Sequence, residues 1–265
     1  MRPSDAEQAD LLATAHDLAE VARAATLAHF RSAGLSADSK EAGRFDPVTI
    51  ADKQAEAAMR AVLARRRPQD GILGEEFAEV VGDSGLTWVL DPIDGTRGYL
   101  CGTPTWGVLI AVANSAGPLL GIIDQPFIGE RFVGGFGRAE VTGPMGRFDL
   151  ATRGARAIGQ AILLSTFPEI GTAADHAAFR RVADKVRLVR YGMDCYGYAL
   201  LAAGQVDLVI EAGLQEYDIQ APIAVIEAAG GIVTDWLGAS VHQGGRVLAA
   251  ANAEIHAAAM ALLAE

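Results

Sequence analysis

Two cysteines in 265 residues, Cys101 and Cys195, are too few for a disulfide framework, and neither belongs to a C-x-x-C pair. The chain suits a reducing compartment, and without an evident base beside either thiol there is no basis for nucleophilic thiol chemistry. Positive charge is also scarce. The 22 Lys and Arg against 33 Asp and Glu leave a formal net charge of −11. Phosphate-backbone binding needs clustered cations, so no nucleic-acid partner is expected. The short basic stretches, Arg65 to Arg67 and Arg180–Arg181, read as cations at helix C-termini. No apolar run reaches membrane-spanning length, and the opening "MRPSDAEQAD" is too polar for a signal peptide. A cytoplasmic protein with no membrane partner is the expectation. The Walker lysine motif is absent, which excludes an NTP-binding P-loop. The five histidines (His16, His29, His176, His242 and His256) show no metal-ligand spacing and read as surface or packing residues. Aromatics are only 6% of the chain while hydrophobic residues reach 51%, so the core must be mainly aliphatic.

The length suits one globule with two lobes. The spacing of Leu11, Ala15, Leu18, Ala22 and Ala25 predicts a helix over about 6–31. A polar loop, "LSADSKEAGRFDP", separates it from a second helix, "ADKQAEAAMRAVLARRR", which stops before Pro68. "TWVLD", "GVLIAVA", "LLGIID" and "RFVGG" then read as strands, antiparallel because their connections are short. "TGPMGRFDLATRGAR" reads as a Gly- and Arg-rich loop, and the lobe boundary is placed near residue 150. Beyond it, the strands "AILLS", "KVRLV", "VDLVIEA", "GIVTDW" and "VLAAAN" alternate with helical stretches, which predicts an α/β lobe. Lobe 1–150 would carry the metal-binding motifs, and lobe 151–265 the substrate contacts and a last metal aspartate, in one continuous unit.

Within "VLDPIDGTRGYL", Asp91 and Asp94 leave an apolar strand three residues apart. Like charges at that range need something positive between them. Pro92 and Gly95 shape the turn. Both carboxylates and the Ile93 carbonyl can then face one point, where hard oxygen ligands suit Mg²⁺. Glu75 and Glu76 in "ILGEE" and Asp218 in "EYDIQAP" join them by type and context. Singly, each acid has a plainer role: Asp218 as a helix N-cap, Glu75 as a solvated loop acid, Asp91 or Asp94 as a turn residue. Together they favour metal binding. After Asp94, "GTRGYL" can open a helix or tight turn, with the N–H groups of Gly95 and Thr96 free to hold a phosphate. A phosphate beside divalent cations is the arrangement for hydrolysing a phosphate ester.

"DPVTIAD", "GEE", "DPIDGT" and "YDIQAPIAVIEAAGGIVTDW", in that order, resemble the motifs of the inositol monophosphatase superfamily, from about Asp46 to Asp235. The resemblance implies an αβαβα sandwich, α/β in class and shared with fructose-1,6-bisphosphatase, commonly dimeric, with two or three Mg²⁺ per site. It implies Glu75, Asp91, Asp94, Asp218 and the Ile93 carbonyl as metal ligands. Thr96 paired with Asp46 would activate the attacking water, and Thr49 would support the water of a third metal. The chain departs from the pattern at Tyr217, where the family often has Trp, and at Arg97 to Leu100, which replace the usual Asn-Phe.

"DGTR", "IDQPF…ER" and "DCYGY" are similar to one branch, the histidinol-phosphate phosphatases of the inositol monophosphatase type. Asp194 and Glu211 fall where the family contacts the non-phosphate part of its substrate. Histidinol phosphate carries an ammonium group, and a carboxylate opposite it contributes about 1.5–3 kcal/mol. Asp194 is equally placed to cap the helix "CYGYALLAAG". Arg97 either meets the phosphate or substrate, or forms a salt bridge across a dimer. The expected function is Mg²⁺-dependent hydrolysis of L-histidinol phosphate, with Gly95, Thr96, Arg97, Asp194, Glu211 and Asp218 binding the substrate. The alternatives are an inositol monophosphatase or broader sugar or nucleotide phosphatase, and a non-catalytic sensor of Mg²⁺ and a phosphorylated ligand.

Overall fold

The structure, a computed structural model, describes residues 3–33, 35–36, 38–39 and 47–265. Two antiparallel helices open the chain, α1 (Asp5–Leu27) and α2 (Ile50–Arg66). Both begin on side-chain caps. Ser4 accepts from the Glu7 N–H, and Thr49 forms a capping box with Asp52, so orphan N–H groups are satisfied at each start. The short pair β1 (Asp38–Ser39) and β2 (Pro47–Val48) lies between them.

A seven-stranded sheet follows, in the order β3 (Gly71–Gly74), β4 (Thr87–Asp94), β5 (Gly107–Asn114), β6 (Gly117–Gln125), β7 (Glu130–Gly135), β8 (Arg138–Gly143) and β9 (Gly146–Asp149). Only β3–β4 is parallel. The period-two alternation splits the sheet between two cores. Trp88, Leu90, Val108, Ile110, Val112 and Ile122 pack under α1 and α2. Val89, Leu109, Ala111 and Ile123 face the opposite way, towards α5 (Cys195–Ala202) and α6 (Glu216–Ala228).

The second sheet has the order β11 (Leu188–Tyr191), β10 (Ile162–Ser165), β12 (Leu208–Leu214), β14 (Gly245–Ala250) and β13 (Ile232–Thr234). Val209, Val247 and Ala249 share the α5–α6 core. Leu208, Ile210, Leu248 and Ala250 point outward to α4 (Ala173–Ala183) and α7 (Ala253–Ala264). Five layers result, αβαβα, as the resemblance implied. The first sheet ends at Asp149 and the second begins at Ile162. None of the helices among the described residues is long and apolar enough to cross a membrane.

Helix α6 lies against the first sheet because two glycines leave room for it. A Cβ on Gly121 would stand 2.4 Å from the Ala221 carbonyl oxygen, and one on Gly134 would stand 2.3 Å from Val225 Cα. This close seat carries the N-terminal turn of α6, and Asp218 with it, to the end of β4.

Two expectations need correcting. The predicted loop "TGPMGRFDLATRGAR" contains β9, which pairs with β8 in a hairpin. All four β9 residues are exposed, so the strand carries no apolar alternation to read. The predicted strand "KVRLV" lies three residues further on, at Leu188–Tyr191, because the Lys185 and Val186 N–H groups still bond back to the Val182 carbonyl in the turn that closes α4.

Candidate active site

Strand β4 delivers the first two acids. It pairs regularly with β5 until Asp91, then slips register before Asp94. The irregularity turns both carboxylates out of the ladder on the same side. Asp91 Oδ1 accepts the Ile93 N–H at 3.0 Å, and Asp94 Oδ2 accepts the Cys195 N–H at 2.5 Å. Behind the turn, Ile93, Tyr99, Trp106 and Phe30 form a separate buried cluster, and the Tyr99 hydroxyl donates to the Thr26 carbonyl at 2.7 Å. The acids are thus mounted on a rigid back wall.

Asp218 arrives from α6. The helix begins at Glu216, so Asp218 is its third residue, not its N-cap. One oxygen accepts the Gln215 N–H at 2.6 Å in a capping box. Capping and cluster membership therefore coexist in one side chain. Oxygens of Asp91, Asp94 and Asp218 all lie within 4.8 Å of one another. Glu75 stands beside them and shares a hydrogen bond with Asp91.

This grouping is costly without cations. Burial, then the charges of Glu75, Asp94 and Asp218, hold the Asp91 carboxyl well above the usual carboxylate range. Burial and the charges of Asp194 and Asp218 do the same to Asp94, against the opposing Cys195 N–H. A set of carboxylates that cannot all ionise alone, built only of hard oxygens, fits divalent cations such as Mg²⁺.

The turn carrying Glu75 is held by Glu56, a fully buried residue of α2 that sequence reading missed. Its Oε2 accepts the Glu76 N–H at 2.7 Å and its Oε1 accepts Arg60 Nε at 2.7 Å. Gly74 is required beside it, since a Cβ there would fall 2.1 Å from Glu56 Oε1. Glu56→Gln turns one acceptor into a donor facing a donor. The expected result is a loss of about 1–3 kcal/mol in stability together with several-fold weaker Mg²⁺ binding, read by thermal melts and calorimetry.

Beyond Asp94 the chain enters α3 (Thr96–Cys101) through Gly95, whose φ of 84° is left-handed. A Cβ at Gly95 would also stand 2.8 Å from the Asp194 carboxyl carbon, so glycine is needed on two grounds. Thr96 Oγ1 donates to the Ile93 carbonyl at 3.1 Å, which joins two predicted site groups. Thr49, by contrast, is buried as the cap of α2, with its hydroxyl donating to Asp52 at 2.5 Å. Asp46 lies outside the described residues. Tyr217 packs on the central core at its edge.

The acids open onto a cavity of ≈ 730 Å³ that Asp94, Gly95, Thr96, Arg97, Asp194, Glu211 and Asp218 line together. Asp194 holds the N-cap position of α5, yet its side chain caps nothing. It turns instead to Thr105 and the Arg97 charge. Its φ of 48° is left-handed, a strained setting for a residue with a side chain. Burial outweighs both partners and pushes its carboxyl up to about 6. Glu211 is buried on β12, where its Oε1 accepts the Thr166 N–H at 2.9 Å and the Thr166 hydroxyl at 2.6 Å. Burial raises it to about 7 despite these bonds. Thr105, Thr166 and Phe167 carry no motif signal. They matter only because the fold sets them beside these acids.

The αβαβα fold and the converging carboxylates beside the cavity fit a phosphatase of the cation-assisted type. Residues 7–265 match the inositol monophosphatase family, and the chain belongs to it. It is 39% identical over 269 residues to the bifunctional phosphatase IMPL2, chloroplastic, of Arabidopsis thaliana, covering 97% of this chain and 76% of that one. It is 34% identical over 247 residues to a histidinol-phosphatase of Chlorobaculum parvum, covering 91% and 92% respectively. Among solved structures, an inositol monophosphatase from Zymomonas mobilis superposes with a TM-score of 0.85 at 37% identity, over 99% of this chain and 100% of that one. The chain is accordingly a phosphoric monoester hydrolase acting on small phosphorylated substrates.

Proposed function

We propose that the protein hydrolyses L-histidinol phosphate to L-histidinol and phosphate, with Mg²⁺, as a step of histidine synthesis. The observation that carries this reading is the second pair of acids, Asp194 and Glu211, in the wall of the cavity next to Asp94 and Asp218. A phosphate dianion is drawn to the cation side, and the substrate's ammonium group meets the second pair. An inositol ring can donate hydroxyls to these acids but brings no cation to pair with their charge. The strained backbone at Asp194 supports the same assignment, because its side chain gains no cap in return.

In this mechanism Asp91, Asp94 and Asp218, with Glu75 beside them and the Ile93 carbonyl between, hold the cations. When bound, the cations supply Lewis acidity that acidifies the attacking water and offsets charge building on the phosphoryl oxygens. Backbone N–H groups at Gly95 and Thr96 orient the phosphate. Helix α3 has only six residues, so the directed N–H groups matter here more than any long dipole. Thr96 aligns the water for in-line attack; Asp46, the partner that the resemblance gives it, lies outside the described residues. Asp194 and Glu211 fix the amino alcohol. A homodimer is part of the same reading.

Purified protein with Mg²⁺ should turn over histidinol phosphate with a kcat/KM at least tenfold above that for inositol 1-phosphate. Asp194→Ala should lower that kcat/KM by roughly 10- to 100-fold, as expected for a lost charge-assisted contact, and leave the inositol ester within about threefold. The similarity to an inositol monophosphatase favours the second reading, hydrolysis of inositol or sugar phosphates. A preference of the wild type for inositol 1-phosphate would establish it.

A further inference from the structure

Phe167 follows strand β10 and lines the cavity on the side of the second sheet. It is 43% exposed, an unusual state for a phenylalanine in an acidic pocket. Its ring is not bare. The Arg97 guanidinium, reaching over from α3, lies 4.9 Å from the ring centroid. The same guanidinium is close enough to Asp194 to draw its carboxyl towards ionisation. A planar nitrogen cation therefore sits on an aromatic face, with a carboxylate at its side, inside the substrate cavity. Arg97 comes from α3 and Phe167 from the segment after β10, so the fold and not local sequence creates this seat.

We propose that Phe167 is a specificity-determining residue whose ring seats the planar, nitrogen-bearing end of the substrate, and that Arg97 fills this seat in the free protein. The inference rests on the histidinol phosphate reading and names where the imidazole goes. An imidazole matches the guanidinium in what the seat selects: a flat π system, N–H groups at its rim and partial or full positive charge. On substrate entry Arg97 leaves the ring. The phosphate, bound at Gly95 and Thr96 immediately before Arg97, then provides its counter-charge. The exchange keeps the charge balance of the cavity, since one cation replaces another beside Asp194 while Arg97 gains an anion.

Phe167→Leu keeps apolar bulk and removes the π face. Steady-state kinetics of wild type and variant should be compared on histidinol phosphate and on glycerol 2-phosphate, which has no ring. The expected result is a KM for histidinol phosphate raised about five- to twentyfold, kcat within about twofold, and glycerol 2-phosphate unchanged. Arg97→Ala should, in parallel, tighten inhibition by L-histidinol, because the seat is no longer occupied. An unchanged KM for histidinol phosphate in Phe167→Leu, or an equal loss on both esters, overturns the proposal while leaving the substrate assignment intact. A wild-type protein that hydrolyses glycerol 2-phosphate or inositol 1-phosphate but not histidinol phosphate removes the substrate assignment, and this proposal with it.

Discussion

Asp91→Asn is expected to lower turnover by about a thousandfold or more, close to 4 kcal/mol of transition-state stabilisation, while making the metal-free protein more stable. The two effects have one cause. Asp91 is buried against Glu75, Asp94 and Asp218, and its ionisation is opposed by all of them. Removing its charge relieves the repulsion and also removes the field that holds a cation. Asp91 and Asp94 have folded pKa values above the ordinary carboxylate value, as do Asp194 at about 6 and Glu211 at about 7. The folded, metal-free state therefore binds more protons than the unfolded chain between roughly pH 4 and pH 7. The stability these four acids contribute is lost as pH rises through that window, the reverse of salt-bridged acids. Cations reverse the trend by binding the deprotonated cluster, and at a hundred times Kd they add about 2.7 kcal/mol. Thermal melts in chelator and in Mg²⁺, at pH 5.5 and 8, should show a larger Mg²⁺ shift at pH 8. In Asp91→Asn the chelator melting point should rise and the Mg²⁺ shift should collapse. A variant that melts lower in chelator and keeps its Mg²⁺ shift would mean that these acids do not share cations.

How much of this was readable before the fold depends on how local each signal is. Strands β4 to β7 of the first sheet could be read because each alternates between two buried cores, as Trp88 and Leu90 do against Val89. Strand β9 could not, because it buries nothing. Asp91, Asp94 and the following glycine could be read because a turn that places two acids together needs those residue types within a few positions. Asp218 could be read as an acid ahead of an apolar helix, but its dual role could not, since the capping bond to Gln215 and the meeting with Asp91 depend on where α6 begins. Glu56 looked like any acid on a helix; only the approach of β3 to α2 turns it into the anchor of Glu76. Phe167 is the extreme case. Its partner Arg97 is seventy residues away on helix α3, and no spacing rule connects them.

The largest loss of stability outside the site is expected at Asp124. This residue is fully buried near the end of β6 and holds two arginines from two layers. Its Oδ1 accepts Arg23 Nη2 of α1 at 2.7 Å and Arg131 Nε of β7 at 2.7 Å, and its Oδ2 accepts Arg23 Nε at 3.1 Å. Asp124→Ala removes the paired carboxylate of Arg23 and leaves Arg131 only the exposed Glu20, 2.9 Å away. Breaking such a buried pair costs about 3–5 kcal/mol, which in a chain of this size lowers Tm by roughly 6–20 °C. The exposed pair Arg180–Asp184, between the last turn of α4 and its C-cap, is the control. Asp184→Ala should cost no more than about 0.5 kcal/mol. The contrast also bears on the site. The next residue, Gln125, donates to Cys195 Sγ at 3.4 Å, and the Cys195 N–H holds Asp94. Asp124→Ala should therefore weaken Mg²⁺ binding even well below its melting point, measured by calorimetry at 15 °C. A lowered Tm with unchanged Mg²⁺ affinity would show that the β6 end and the cluster are energetically separate, so that the rigidity of the site comes from the Ile93–Tyr99–Trp106 wall alone.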